Sequence, residues 1–76
     1  MNIKVYSGNR CKYCTMAKDY FKQIGVEFTE YNVREDESAM QVLVDKNIMS
    51  VPFIMIDDVE LIGFDKDKID EALGRY

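Results

Sequence analysis

Two cysteines, Cys11 and Cys14, are the side chains of this chain best suited to covalent chemistry, and they bracket Lys12 and Tyr13. A thiolate attacks disulfides and binds soft metals, so the pair suits thiol–disulfide exchange or half of a metal site. Three residues are close to one helical turn, which places both sulfurs on the same side of a helix. The Cα atoms would then lie about 5–6 Å apart, inside the window that a disulfide tolerates. Closing so short a loop is worth only about 2 kcal/mol in chain entropy, with strain subtracting from it. The pair is therefore read as kept for chemistry rather than for stability.

What the chain lacks narrows the chemistry further. There is no histidine, so Ser-His-Asp and Cys-His catalysis and His-ligated zinc are excluded. A complete zinc site needs four ligands, which would require carboxylates or a second subunit. The acidic group Glu35-Asp36-Glu37 and the pair Asp57-Asp58 are explained as a solvated helix start and a hairpin turn without any cation.

The cysteines fall where the hydrophobic pattern changes period. Ile3, Val5 and Tyr6 suggest a first strand, and Ser7-Gly8-Asn9-Arg10 a turn. From Cys11 onward, Ala17, Tyr20, Phe21 and Ile24 share one helical face, with Gly25 as the stop. Val26 to Val33 reads as a second strand. A second helix opens at the acidic group, where its dipole favours negative charge. Its apolar face is read as Met40, Leu43 and Val44, with Asn47 as a left-handed terminator.

Pro52 heads a third strand, Phe53-Ile-Met-Ile56, which turns through Asp57-Asp58 into a fourth, Val59 to Ile62. The last helix carries an Asp65 N-cap and the Phe64–Ile69 spacing of a hydrophobic staple, and Gly74 ends it. Phe21 and Phe28, with Met40, Met49 and Met55, are assigned to core or near-core space. The order β-α-β-α-β-β-α implies an α/β fold with a four-stranded mixed sheet flanked by three helices, in a single domain over residues 1–76.

Composition agrees with a small globular module. The 76 residues are 47% hydrophobic and 32% charged, with a formal net charge of −4. No basic run marks a nucleic-acid footprint. The longest apolar stretch, Met49 to Ile56, is too short to cross a bilayer and is broken by Ser50 and Pro52. The first residues run into strand-like sequence without a signal-peptide core, so the expectation is a cytoplasmic protein with no membrane partner, and the short acidic surface gives no reason to expect anything but a monomer.

Cys11 stands at the mouth of the first helix, and its position predicts its reactivity. Free N–H groups of the first turn and the helix dipole favour the thiolate there, and Arg10 and Lys12 add two cations. A thiol with a pKa of about 8.5 is about 3% ionised at pH 7, whereas a pKa near 5.5 makes it almost wholly thiolate. Cys14, inside the helix, is expected to be less exposed and more ordinary. Cys11 is thus the expected nucleophile, with Cys14 resolving the mixed disulfide.

The chain resembles the glutaredoxin family along essentially its whole length. The resemblance is carried by Lys4-Val-Tyr-Ser7, Cys11-Lys-Tyr-Cys14, Ser50-Val51-Pro52 and Gly63-Phe64-Asp65, in the family's order and spacing. It implies a thioredoxin fold and a cis peptide bond before Pro52, which would present the Val51 backbone to an extended thiol substrate. It also implies a site for the γ-glutamyl carboxylate of glutathione at Gly63-Phe64-Asp65, with Asp65 contacting the ligand's amine, although capping alone equally explains that residue. Tyr13 either flanks the substrate or shields the sulfurs.

The chain departs from the family's pattern at three places. Many members carry Lys three residues before the nucleophile, where this chain has Gly8. Many carry a polar residue or Arg before the proline segment, where Ile48 and Met49 stand here. The frequent Gly-Gly pair is Gly63-Phe64. Arg10, Lys12 and Lys46 are the candidates to replace the missing cations.

The function so implied is a glutathione-dependent thiol–disulfide oxidoreductase acting on protein disulfides and protein–glutathione mixed disulfides. Glutathione serves as co-substrate and no cofactor is tightly bound. Gly63-Phe64 also matches glutaredoxin-like redoxins that draw electrons from thioredoxin reductase and serve ribonucleotide reductase. A dimer bridging an iron–sulfur cluster through Cys11 and glutathione is the alternative from the metal-binding class.

Overall fold

The computed structural model describes residues 2–74. Its elements are β1 (Ile3–Ser7), α1 (Lys12–Gln23), β2 (Thr29–Asn32), α2 (Glu37–Asp45), β3 (Phe53–Ile56), β4 (Val59–Ile62) and α3 (Lys66–Leu73). The strands form one mixed sheet in the order β2-β1-β3-β4. β1 pairs parallel with β2 and antiparallel with β3, and β3 pairs antiparallel with β4. This is the α/β arrangement expected from the element order.

Strand alternation divides the core between the two faces of the sheet. Ile3 and Val5 of β1 and Ile54 and Ile56 of β3 pack on one face with Ala17 and Phe21 of α1 and Ile69 of α3. Tyr6 and Phe53 point to the other face, where Val33, Ala39 and Leu43 complete a second cluster. The sheet thus lies between α1 and α3 on one side and α2 on the other. Phe64 packs against the first cluster, as its staple to Ile69 requires.

Local chemistry sets the helix boundaries. Asp36 caps α2 by accepting from the N–H groups of Ser38 and Ala39 at 3.0 and 3.2 Å, and Asp65 caps α3 by accepting from Lys68 N–H at 3.2 Å. α1 ends in a Schellman motif: Gly25 has φ 75°, and the N–H groups of Gly25 and Val26 donate to the Lys22 and Phe21 carbonyls. Asn47, at φ 59°, does the same for α2, with Ile48 N–H donating to Leu43 at 2.8 Å.

Three sequence readings need correction. β2 is shorter than Val26 to Val33 because the Val26 N–H is committed to the end of α1. The buried positions of α2 are Ala39 and Leu43, not Met40 and Val44, which are exposed. Met49 is 94% exposed rather than near the core. Met55 and Phe28 do pack against the core clusters, half-buried, and Phe21 is fully buried.

Candidate active site

The site is built where β1 hands the chain to α1. Ser7 ends the strand fully buried, and its hydroxyl donates to Glu30 Oε2 at 3.0 Å. Lys18 donates to the same oxygen at 2.6 Å, and this ammonium holds the Glu30 carboxyl below its usual range, helped by the Ser7 hydroxyl and opposed by partial burial. The connecting turn is pinned by Asn32 Nδ2, which donates to Asn9 Oδ1 at 2.9 Å. Arg10 takes a left-handed conformation, φ 53°, and swings the chain into the helix.

Cys11 is the N-cap of α1, with extended backbone at φ −105° and ψ 106°. The Cys14 N–H donates to Cys11 Sγ at 3.1 Å, so a sulfur does the work usually done by a Ser or Asp oxygen at this position. There is no acidic residue in the first turn of α1 to oppose a thiolate. The two sulfurs are joined in a disulfide with Cα atoms 5.2 Å apart. Cys14 is 1% exposed, whereas Cys11 is partly exposed, so an incoming sulfur reaches Cys11 first.

The loop before β3 forms the opposite wall. Val51–Pro52 is a cis peptide bond, and the Val51 carbonyl oxygen lies 3.9 Å from Cys11 Sγ. Pro52 is buried, and its carbonyl accepts from Gly63 N–H at 2.8 Å, tying the approach to α3 against this loop. Gly8 closes the third side. A Cβ built there would stand 3.3 Å from Val51 Cγ2, tighter than ordinary contact.

The sequence-selected residues divide into two groups. Cys11, Cys14, Val51 and Pro52 meet at the helix mouth, and exposed Arg10, Lys12 and Tyr13 flank it in the chain. Gly63 reaches it through Pro52. Phe64 turns its ring into the core, edge-on to Tyr20 with centroids 6.0 Å apart, so only its backbone is left to face a ligand. Lys46 forms an ion pair with Glu60 at 3.2 Å and is not a free replacement cation. Among the described residues, no group of three or more Cys, Asp or Glu side chains is arranged to hold a metal.

Sequence reasoning missed a feature beside these residues. A groove of about 530 Å³ runs from Gly8 and Val51 along α2, floored by Leu43 and rimmed by Met40, Val44 and Met49, with Arg34 the one cation in its lining. Its signal was present only as apolar residues in excess of what one buried helix face can use.

The pattern of a redox-active pair at a strand-to-helix junction is matched by comparison with known proteins. The glutaredoxin family model matches residues 3–61. The chain belongs to the glutaredoxin family. A glutaredoxin-like 8.6 kDa protein of the rubredoxin operon of Clostridium pasteurianum is 33% identical over 74 residues, covering 96% of this chain and 99% of that one. The glutaredoxin-like protein NrdH of Lactococcus lactis subsp. cremoris is 29% identical over 62 residues, 82% of this chain and 86% of its own. A solved structure of the NrdH-redoxin of Escherichia coli, described as glutaredoxin-like with a thioredoxin-like activity profile, superposes with a TM-score of 0.87 at 27% identity, covering 93% of each chain. The fold is thus the thioredoxin fold, and the chain is a thiol–disulfide oxidoreductase carrying the family's Cys-x-x-Cys motif, Cys11-Lys-Tyr-Cys14.

Proposed function

We propose that this glutaredoxin-family protein reduces protein disulfides in the cytoplasm as a monomer and is recharged by a thioredoxin-reductase-type flavoprotein rather than by glutathione. The observation that carries this reading is the character of the wall beside Val51. Where many family members place cations, this chain has Gly8, Ile48 and exposed Met49, and Lys46 is engaged by Glu60. A glycyl carboxylate would meet a mostly apolar groove there, with Arg34 as its one cationic lining residue, and burying a charge with few partners is costly. The NrdH relatives support the same reading.

The exchange follows from the geometry. The Cys11 thiolate accepts the Cys14 N–H and attacks one sulfur of the substrate disulfide, forming a Cys11 mixed disulfide. The other substrate cysteine leaves as a thiolate and takes a proton. Cys14, one turn away with its Cα 5.2 Å distant, then loses its proton and attacks Cys11 Sγ, releasing the second substrate thiol. Two electrons pass to the substrate, and the Cys11–Cys14 disulfide is left for the reductase.

A second reading, glutathione as electron source, is favoured by Tyr13 in the motif and by the α3 N-terminus. There Gly63 is held 2.8 Å from the Pro52 carbonyl, beside the Asp65 cap. The two readings separate in one assay. The oxidised protein is incubated with NADPH and either thioredoxin reductase or glutathione plus glutathione reductase, and NADPH consumption is followed with insulin as disulfide substrate. Turnover with thioredoxin reductase and little with glutathione is expected. The reverse result would assign the protein to glutathione.

A further inference from the structure

We infer that the groove between α2 and the Val51 loop seats an apolar side chain of the substrate, carried by one of the two residues that follow the attacked cysteine. This rests on the reading of the protein as a reductase of protein disulfides, and it assigns the sequence preference that such a protein would show.

Three observations converge. First, the groove is continuous with the reaction site: Gly8 and Val51 line it, and the Val51 carbonyl stands 3.9 Å from Cys11 Sγ. Second, its surface is mostly apolar, with Arg34, Asn9 and Asn47 as polar lining, where a small soluble domain has least reason to be so. Met40 and Val44 leave the core side of α2 to Ala39 and Leu43, and Val44 and Met49 are 59% and 94% exposed. Side chains in that setting lose water only when something covers them. Methionine suits the task, because its flexible thioether adapts to differently shaped apolar partners. Third, the backbone fixes which part of a substrate arrives there. Among the described residues no backbone carbonyl takes the Val51 N–H, so a peptide edge is on offer beside the reactive sulfur.

The direction of the peptide follows from strand geometry. The chain runs from Met49 through Ser50 and Val51 into Pro52, whose carbonyl is already taken by Gly63. A peptide pairing antiparallel with this segment, the better hydrogen-bonded arrangement, enters on the Gly63 side and leaves on the Met49 side. With its cysteine opposite Val51, the following residues pass over the groove at about 3.3 Å per residue. The sulfur chemistry is unchanged. The side chain adds binding that is present when Cys11 attacks and that a polar residue at the same place would lack.

The test uses the full-length protein, reduced beforehand and freed of reductant, so that no electron source enters the measurement. Pairs of disulfide-bridged peptides are offered that differ at one position, Leu, Ser or Asp directly after the attacked cysteine or at the next position, with the same set placed before it. The rate of peptide reduction is read in a single turnover. Leu after the cysteine is expected to react about tenfold faster than Ser. The same exchange before the cysteine is expected to matter little. Val44→Asp and Met49→Glu should each bring the Leu-to-Ser ratio close to one.

Equal rates across the whole series, or a preference confined to the residue before the cysteine, would overturn the inference while leaving a protein-disulfide reductase. No reaction with any peptide would remove that reading as well. A Leu preference that survives both charge substitutions would also overturn it, because the preference would then arise elsewhere.

Discussion

Gly8→Ala probes the wall that sets the geometry of exchange. The added methyl would stand 3.3 Å from Val51 Cγ2, so Val51 must yield by a few tenths of an ångström to restore ordinary contact. Two stability effects oppose each other. Crowding costs about 1 kcal/mol at the mild end of overpacking. Replacing glycine removes freedom from the unfolded chain, which favours folding by about 0.4–1 kcal/mol, and the Gly8 backbone lies outside the left-handed region where alanine would be strained. The net loss is between zero and about 0.6 kcal/mol, a fall in Tm of at most about 5 °C. The rate is more sensitive. A misplacement of 1 Å costs about 100-fold in a positioned reaction, so a few tenths scale to about fourfold. Thermal unfolding and single-turnover reduction of a peptide disulfide read the two effects separately. A lower Tm with an unchanged rate would refute the claim that the Val51 edge orients the incoming disulfide.

Further expectations concern the cysteines, a cap and an ion pair on the edge strand. Cys11→Ser should abolish exchange, whereas Cys14→Ser should still attack a protein disulfide and then halt as a stable mixed disulfide, visible by mass. Equal loss without a trapped adduct would contradict the assigned roles. Asp65→Ala removes the side chain that accepts Lys68 N–H and should cost about 1 kcal/mol, lowering Tm by about 4–8 °C. Glu30, held below the ordinary carboxylate range chiefly by Lys18, favours the folded state above that range, and the benefit fades as pH falls through its lowered folded value. Urea midpoints measured from pH 6 to pH 3 should therefore fall less steeply in Lys18→Met, and an identical slope would count against this pairing.

The chemistry of the chain was legible because it sits in types and spacings that have few other uses. Cys11 and Cys14 at a change of period announced a sulfur at a helix mouth, and the structure places the Cys14 N–H against it. Asn47, Gly25 and Gly74 were readable as left-handed stops because such backbone excludes most side chains. The Asp65 cap and the Phe64–Ile69 staple were equally local. The cis bond at Pro52 was different, since it came from family resemblance and not from any property of Ser50-Val51-Pro52 alone.

Orientation around α2 was not legible. Met40, Leu43 and Val44 are more hydrophobic than Ala39, so a pattern reading favours them. The sheet instead receives Ala39 and Leu43, four residues apart, and leaves the larger side chains outside. β2 was overextended for a similar reason. Val26 and Phe28 are strand-like residues, but Val26 N–H is used to close α1, and both side chains finish the core from a loop. Surplus apolar residues are indistinguishable from core residues until the core is seen to be full, which is why the groove emerged only with the fold.

The central claim is that Cys11 is ionised because a helix mouth holds its charge. The bond from the Cys14 N–H becomes charge-assisted in the thiolate and the dipole of α1 adds to it, so both lower the pKa of Cys11. Titrating the thiolate absorbance of Cys14→Ser, in which Cys11 is the remaining thiol, measures this directly. An apparent pKa well below that of a free cysteine is predicted. A value near 8.5, that of a cysteine in an unstructured peptide, would contradict the account.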